Sequence, residues 1–226
     1  MSGSNDINEL KPPVGASVYS RRSLRVYDFV VHFLSNRMVW RCPVQHLINH
    51  SRQFLSDNHL EIGVGSGKLF RKTAKGKVFE RLVIADVNQD CLDVSAKTLR
   101  DSSPSIWKLD LLSPQFKSES PANFQSIGLN YVLHCLPLSL AEKSRLCQQL
   151  VSRCLAPGGV LFGSTLMQDL NSSFLSKRLM KFYNRKKIFN NKDETLTAFE
   201  QQLSQLDLDF ELYSKGCVCL FRIQSK

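Results

Sequence analysis

Gly63, Gly65 and Gly67 alternate along the run Leu60-Glu61-Ile62-Gly63-Val64-Gly65-Ser66-Gly67, and Asp86 closes a second apolar run nineteen residues later. Glycines at alternate positions remove side chains from a strand-to-helix turn, so a flat or anionic ligand can approach the backbone. An acid at the tip of the following strand can accept hydrogen bonds from a ribose diol. The pair points to a nucleoside-containing cofactor. Further on, His134 follows another apolar run, where an imidazole could take a proton from an attacking hydroxyl, an effect worth roughly 10²–10⁴-fold in rate. The competing role for His134 is to shape the pocket or cap a turn.

The elements that must position these groups alternate in type. Leu60–Ile62 reads as a short strand, Lys68–Ala74 as a short helix, Arg81–Val87 as a buried strand and Gln89–Arg100 as a helix. Ile106–Asp110 and Phe124–Tyr131 are further strands, Ser139–Cys154 is a strongly periodic helix, and Pro157-Gly158-Gly159 turns into a fifth strand at Val160–Leu166. Such alternation implies parallel strands with right-handed crossovers, hence a doubly wound α/β sheet. The end differs: Leu208–Tyr213 and Cys217–Ile223 are separated by only three residues, which permits only an antiparallel hairpin. Before the first strand, Leu24, Tyr27, Asp28, Val31 and Leu34 recur at helical intervals, and Pro43 opens a second helix with Leu47, Ile48 and Phe54. The expected organisation is a flexible tail over 1–16 and one domain over 17–226. That domain divides into a helical cap (17–57), a cofactor-binding core (58–166), a lid or substrate helix (167–192) and a closing helix with the hairpin (193–226).

Bulk properties narrow the class. A chain of 226 residues supports one α/β core, and 42% apolar with 22% charged residues is ordinary for a globular protein. No apolar run is long enough to span a membrane, and the start of the chain lacks the pattern of a signal peptide. The seven cysteines show no CxxC spacing and read as reduced core residues, so a cytoplasmic location is expected. His32, His46, His50 and His59 have no ligand spacing with cysteines or carboxylates, and no metal is expected. The net charge of +10 is partly local: Lys177, Arg178, Lys181, Arg185, Lys186 and Lys187 cluster with no acid between Asp169 and Asp193. That cluster reads as a solvated basic face, or as a contact for an acidic small molecule or an RNA phosphate.

Spacing sorts the cofactor. A P-loop needs four residues between its first glycine and Gly-Lys, followed by Ser or Thr. Here Gly63 and Gly67-Lys68 have three between them, and Leu69 follows. A dinucleotide fingerprint needs a third glycine where this chain has Lys68 or Phe70. The remaining pattern, E-x-G-x-G-x-G with Asp86 downstream, resembles the first two motifs of class I S-adenosylmethionine-dependent methyltransferases. Trp107–Leu111, Ser126–Pro137 (SIGLNYVLHCLP) and Leu155–Leu161 (LAPGGVL) are similar to three further motifs of that superfamily, in order. Tyr27–Val31, Trp40-Arg41-Cys42-Pro43, NYVLHCLP and Tyr183–Asn190 (YNRKKIFN) resemble a bacterial and fungal, type-12-like subgroup acting on small molecules. Lys68 and Arg71 depart from it, because relatives often carry an aromatic and then an acid near that helix start.

The resemblance implies a Rossmann-like methyltransferase fold with a mostly parallel seven-stranded sheet, an antiparallel terminal hairpin and an N-terminal helical addition. The cofactor implied is S-adenosylmethionine, leaving as S-adenosylhomocysteine after its methyl group passes to O or N of a small molecule. Gly63, Gly65 and Gly67 would face its methionine part and ribose, with Glu61 ordering the turn and the methionine ammonium. Asp86, beside Val87, would hold the ribose hydroxyls, and Asp110 with Leu111 would lie by the adenine. Asn130 and Tyr131 would line the methionine moiety. Tyr19, Tyr27, Trp40 and Tyr131 are candidates for an aromatic wall at the sulfonium, and His134 for the proton acceptor. RNA or protein substrates, and a binding protein without transfer activity, are the alternatives.

Overall fold

The computed structural model describes residues 38–114, 116 and 123–226. The expected tail over 1–16, the first helix of the cap, and Tyr19 and Tyr27 lie outside the described residues. The elements run in the order α1 (Val44–Phe54), β1 (Asn58–Ile62), α2 (Lys68–Thr73), β2 (Arg81–Asp86), α3 (Gln89–Thr98), β3 (Ser105–Lys108) and β4 (Phe124–Asn130). Then follow α4 (Leu140–Cys154), β5 (Leu155–Leu166), α5 (Phe174–Arg185), α6 (Leu196–Ser204), β6 (Leu208–Lys215) and β7 (Val218–Ser225).

The strands form one seven-stranded sheet in the order β3-β2-β1-β4-β5-β7-β6. The first five are parallel, and β7 inserts antiparallel between β5 and β6. This is the doubly wound sheet with a terminal hairpin expected from the alternation. The strand order reverses between the neighbours β1 and β4, across which the chain returns from β3 to β4, and a parallel sheet opens its ligand crevice at the carboxyl ends beside such a switch.

Strand alternation divides the core. Val83 and Ala85 face one side with Leu60, Ile62, Ile127 and Leu129, packed on Leu146 and Leu150 of α4 and Phe199 and Leu203 of α6. Leu82 and Ile84 face the other, with Phe70 of α2 and Leu92 of α3. A third cluster joins Trp40, Cys42 and Leu47 to Met180 of α5, Phe189 and the start of β7. Helix termini follow local chemistry. Asn88 accepts from the Asp90 N–H at the start of α3, and Ser139 with Glu142 forms a capping box on α4.

Most boundaries fall within two residues of expectation, with Asp110 just beyond β3, and one differs by more. Strand β5 starts at Leu155, and Pro157-Gly158-Gly159 lies within it, because the pairing with β4 shifts register between Phe124 and Ser126. Gly158 takes a positive φ of 73° there, so the motif acts as a bulge rather than a separating turn.

Candidate active site

The carboxyl ends of β1, β2 and β4 meet at the crevice. After Ile62 the chain turns through Gly63 (φ 69°), Gly65 (φ 53°) and Gly67 (φ 76°), all left-handed. Gly63 N–H donates to Ala85 O at 2.8 Å, which ties the turn to the end of β2. A Cβ on Gly63 would come within 2.3 Å of Val132 Cγ2, and one on Gly67 within 3.2 Å of Ser95, whereas one on Gly65 would meet nothing within 4 Å. Gly63 and Gly67 are thus demanded by packing as well as by φ. Gly65 faces open space that a ligand could fill.

Asp86 ends β2 beside this turn. Its Oδ2 accepts from Gly65 N–H at 3.2 Å and its Oδ1 from Asn88 N–H at 2.9 Å. Burial raises its pKa, and the N–H groups of Asn88, Gly65 and Val87 pull it back. A carboxylate has about four lone-pair directions, so acceptor capacity remains for a ligand's hydroxyls. Val87 is half-buried next to it. Asp110 follows β3, one strand further out, and its Oδ1 accepts from Leu112 N–H at 2.9 Å, while Leu111 is buried in the main core.

Glu61 is buried on β1 with its carboxylate against Gly128 of the paired strand. Its Oε2 lies 3.0 Å from His59 Nε2, two residues earlier on the same strand face. His59 Nδ1 is 2.7 Å from Ser126 Oγ, which is 2.7 Å from Ser56 Oγ and accepts from Ser56 N–H. Ser56 Oγ in turn donates to Asn58 O at 2.9 Å. These contacts are all satisfied only if His59 Nδ1 carries the proton and donates to Ser126, which places one shared proton between Nε2 and Glu61. Phe70 and Phe162 sandwich the imidazole at 5.3 and 5.8 Å between ring centroids. His59 escaped the sequence reading, which sought metal spacing. Its signal was the alternation that puts residues 59 and 61 on one face of a strand.

Asn130, at the end of β4, bridges two elements: its Oδ1 accepts from Ser164 Oγ at 3.0 Å and its Nδ2 donates to Ser51 Oγ at 3.4 Å. Tyr131 follows with a φ of 59°, a conformation rare for a bulky side chain, and its N–H donates to Ser164 O at 2.8 Å. Burial pushes its phenol well above the usual range, with Cys42 and Cys217 nearby. Trp40 is buried in the same cluster, its ring 6.3 Å from Phe189 and its carbonyl accepting from Cys217 N–H at 2.8 Å. Trp40 thus shares a core cluster with Tyr131 and ties down the hairpin turn, and its ring is taken up by core contacts.

His134 is only 3% exposed. Its Nδ1 is 3.4 Å from Leu166 N, a donor, and 3.4 Å from Thr165 Oγ1, so the proton belongs on Nε2. Burial, with the Lys143 charge adding to it, lowers its pKa to about 3. A neutral imidazole of that basicity is a poor proton acceptor at neutral pH. Its surroundings explain two motifs together. Phe189 meets the ring edge-on at 4.6 Å, Asn190 N–H donates to His134 O at 2.7 Å, and Asn190 Nδ2 donates to Leu138 O at 2.9 Å. Asn184 and Asn191 bond reciprocally, Nδ2 to Oδ1 at 2.9 Å and N–H to Oδ1 at 3.1 Å. Asn191 Nδ2 also donates to Leu166 O at 2.9 Å. The YNRKKIFN stretch therefore clasps the loop after α5 onto the NYVLHCLP segment. Lys143 of α4 secures the same loop from below, bonded to Asn190 O at 2.7 Å and paired with the Glu194 carboxylate.

Lys68 and Arg71 of α2 are exposed, while Phe70 and Thr73 face inward. The reversed charge there lies on the solvent side of the helix.

No family model matches the chain. It is similar to the demethylluteothin O-methyltransferase of Streptomyces thioluteus, 28% identical over 209 residues, covering 92% of this chain and 90% of that one. It is 30% identical over 198 residues to the Escherichia coli K12 protein YbcY, whose name states no activity, covering 85% of this chain and 98% of that one. Among solved structures it is similar to the N-methyltransferase NodS of Bradyrhizobium japonicum WM9 in complex with S-adenosyl-L-homocysteine. That match has a TM-score of 0.56 and 19% identity, covering 80% of this chain and 85% of that one. Given its sheet order, glycine turn and strand-end acid, and relatives that span nearly its whole length, the chain belongs to the class I S-adenosylmethionine-dependent small-molecule methyltransferases.

Proposed function

We propose that the crevice at the carboxyl ends of β1, β2 and β4 binds S-adenosylmethionine and transfers its methyl group to an oxygen of a small-molecule acceptor. The observation that carries this reading is the juxtaposition of the left-handed Gly63-to-Gly67 turn with Asp86, whose carboxylate accepts from Gly65 N–H at 3.2 Å and keeps acceptor capacity. The residues fit the cofactor: the space beside Gly65 is open, and an acid stands at the strand tip where a ribose diol would lie. When bound, the cofactor supplies a methyl group activated by a sulfonium.

The side chains then divide the work. Gly63, Gly65 and Gly67 admit the ligand to the backbone. Asp86, beside Val87, takes the ribose hydroxyls, and Asp110 with Leu111 borders the adenine. Glu61, held by His59, presents a carboxylate below the turn to the methionine ammonium. Asn130 and Tyr131 shape the methionine end. Tyr131 is held by its strained backbone and meets the His134 ring edge-on at 5.7 Å, which suits an aromatic wall near a cation. His134 acts as a neutral, hydrogen-bonded wall residue. Catalysis then rests on alignment and exclusion of water, where holding reactants in attack geometry can supply roughly 7–11 kcal/mol. Oxygen acceptors are favoured over nitrogen by the relative named above.

The test is calorimetry with S-adenosylmethionine and S-adenosylhomocysteine, followed by a labelled-methyl screen of metabolite extracts. Binding by the wild-type chain and a loss of tenfold or more in Asp86→Ala are expected, since bonds to a charged acceptor are worth about 1.5–3 kcal/mol. Absence of binding to either compound would end this reading. His134→Ala should retain turnover on the acceptor found. Its abolition, with cofactor affinity intact, would instead assign His134 as the base.

A further inference from the structure

Among the described residues, helix α5 packs only one side against the rest of the protein. Met180 and Ser176 are buried and Leu179 and Tyr183 partly so, in the cluster with Trp40 and Tyr131. The outer side combines two features seldom found together on a solvated helix. Phe174 is 81%, Leu175 54% and Phe182 42% exposed. Lys177, Arg178, Lys181 and Arg185 are exposed on the same helix, and Lys186 and Lys187 continue the basic run. At 100° per residue, Lys177, Lys181, Phe174, Arg185, Arg178, Phe182 and Leu175 fall in that order within an arc of about 160°. The buried Ser176 and Met180 lie opposite that arc. Among the described residues no carboxylate forms an ion pair with any of these cations, and Arg185 lies over the Phe182 ring at 5.9 Å.

We propose that the outer face of α5 docks the protein on an anionic phospholipid surface. Charge complementarity selects the occupant. A basic, acid-free stretch matches acidic headgroups, while two phenylalanines and a leucine interleaved with it on the outer face can reach the acyl boundary between those headgroups. A nucleic acid would use the cations but has no use for Leu175, which cannot stack as an aromatic does. The geometry has a consequence for the site. The inner face of α5 packs on the cluster that holds Tyr131, so a docked helix sets the crevice about one helix thickness, roughly 10 Å, from the bilayer. An acceptor dissolved in lipid would then reach the site without crossing water.

The experiment is co-sedimentation of the full-length chain with vesicles of phosphatidylcholine alone, or of phosphatidylcholine with about 30% phosphatidylserine, a composition that gives an appreciable surface potential. Binding to the anionic vesicles only, weakened by salt, is expected. Each cation near such a surface contributes about fivefold in affinity, so Lys177→Gln/Arg178→Gln/Lys181→Gln/Arg185→Gln should lose on the order of a hundredfold or more. Phe174→Ser/Phe182→Ser should keep the initial electrostatic association yet release at lower salt than wild type. Circular dichroism and S-adenosylmethionine calorimetry on the same variants show whether the fold and the proposed cofactor site persist, so failure here is distinguishable from failure of the methyltransferase reading. No binding to anionic vesicles overturns the proposal, as does equal binding by the four-cation variant. Release of bound protein by transfer RNA, with the double aromatic variant behaving as wild type, would assign the patch to nucleic acid and likewise overturn it.

Discussion

Gly128 has no side chain because Glu61 occupies the place where one would stand. A Cβ on Gly128 would lie 2.0 Å from Glu61 Oε2 and 2.9 Å from its Cδ, against an ordinary contact near 3.4 Å. In Gly128→Ala the carboxylate must therefore withdraw by about 1.4 Å, and dense packing leaves the strand backbone little room to yield instead. That movement breaks the 3.0 Å bond to His59 Nε2 in a buried setting. Losing a charge-assisted bond costs about 1.5–3 kcal/mol. The shorter list of unfolded conformers available to alanine returns about 0.4–1 kcal/mol. A net loss of about 1.5 kcal/mol follows, measured by urea denaturation of the full chain. A double-mutant cycle isolates the cause: with Glu61→Ala already present the new methyl finds room, and Gly128→Ala should then be close to neutral. Equal cost in both backgrounds, or no cost in either, refutes the reasoning. Calorimetry on Gly128→Ala asks separately whether Glu61 serves the cofactor, since a misplaced carboxylate should weaken binding even where the protein stays folded.

Two further expectations concern the wall behind the crevice. The unfolded chain binds a proton at His134 below about 6.5 whereas the native chain resists it down to about 3, so stability should fall as pH drops through that window, by at most about 1.4 kcal/mol per pH unit. Urea titrations at pH 7, 6 and 5 should show a flatter slope in His134→Gln, and identical slopes would place the imidazole nearer to water than the structure does. Glu194→Ala should cost about 3–5 kcal/mol by leaving the buried Lys143 ammonium without its carboxylate. Replacing both by apolar residues, Lys143→Met with Glu194→Leu, should cost far less; a Glu194→Ala loss under 1 kcal/mol would show that the ammonium escapes to solvent.

The order of elements and the place of the left-handed glycine turn were legible in the chain because both depend on local chemistry. Glycines at alternate positions demand a turn whatever surrounds them, an acid after an apolar run marks a strand tip, and a three-residue connection forces an antiparallel hairpin. Gly63, Gly65, Gly67 and Asp86 could be singled out on those grounds alone. The path of the Pro157-Gly158-Gly159 segment was not legible, since a bulge is a register relation with β4 and exists only once the strands are paired.

Tertiary structure decided what the polar side chains do. His134 lies in the short turn after β4 and His59 on β1, and residue type alone does not tell their tasks apart. Burial beside Lys143 keeps the first from taking up a proton, whereas the Ser56–Ser126 relay and the space left by Gly128 make the second the hydrogen-bond partner of Glu61. The YNRKKIFN motif belongs to the same lesson: its Asn184 and Asn190, with the adjoining Asn191, close a loop onto β5 and the segment after β4, a task that appears only when residues 134, 166, 184 and 191 are brought together. The sequence by itself determined where a nucleoside cofactor could approach the backbone, because that needs only the absence of side chains. Which groups are charged, neutral or held in reserve was left to the fold, because proton occupancy depends on burial and on partners distant in sequence.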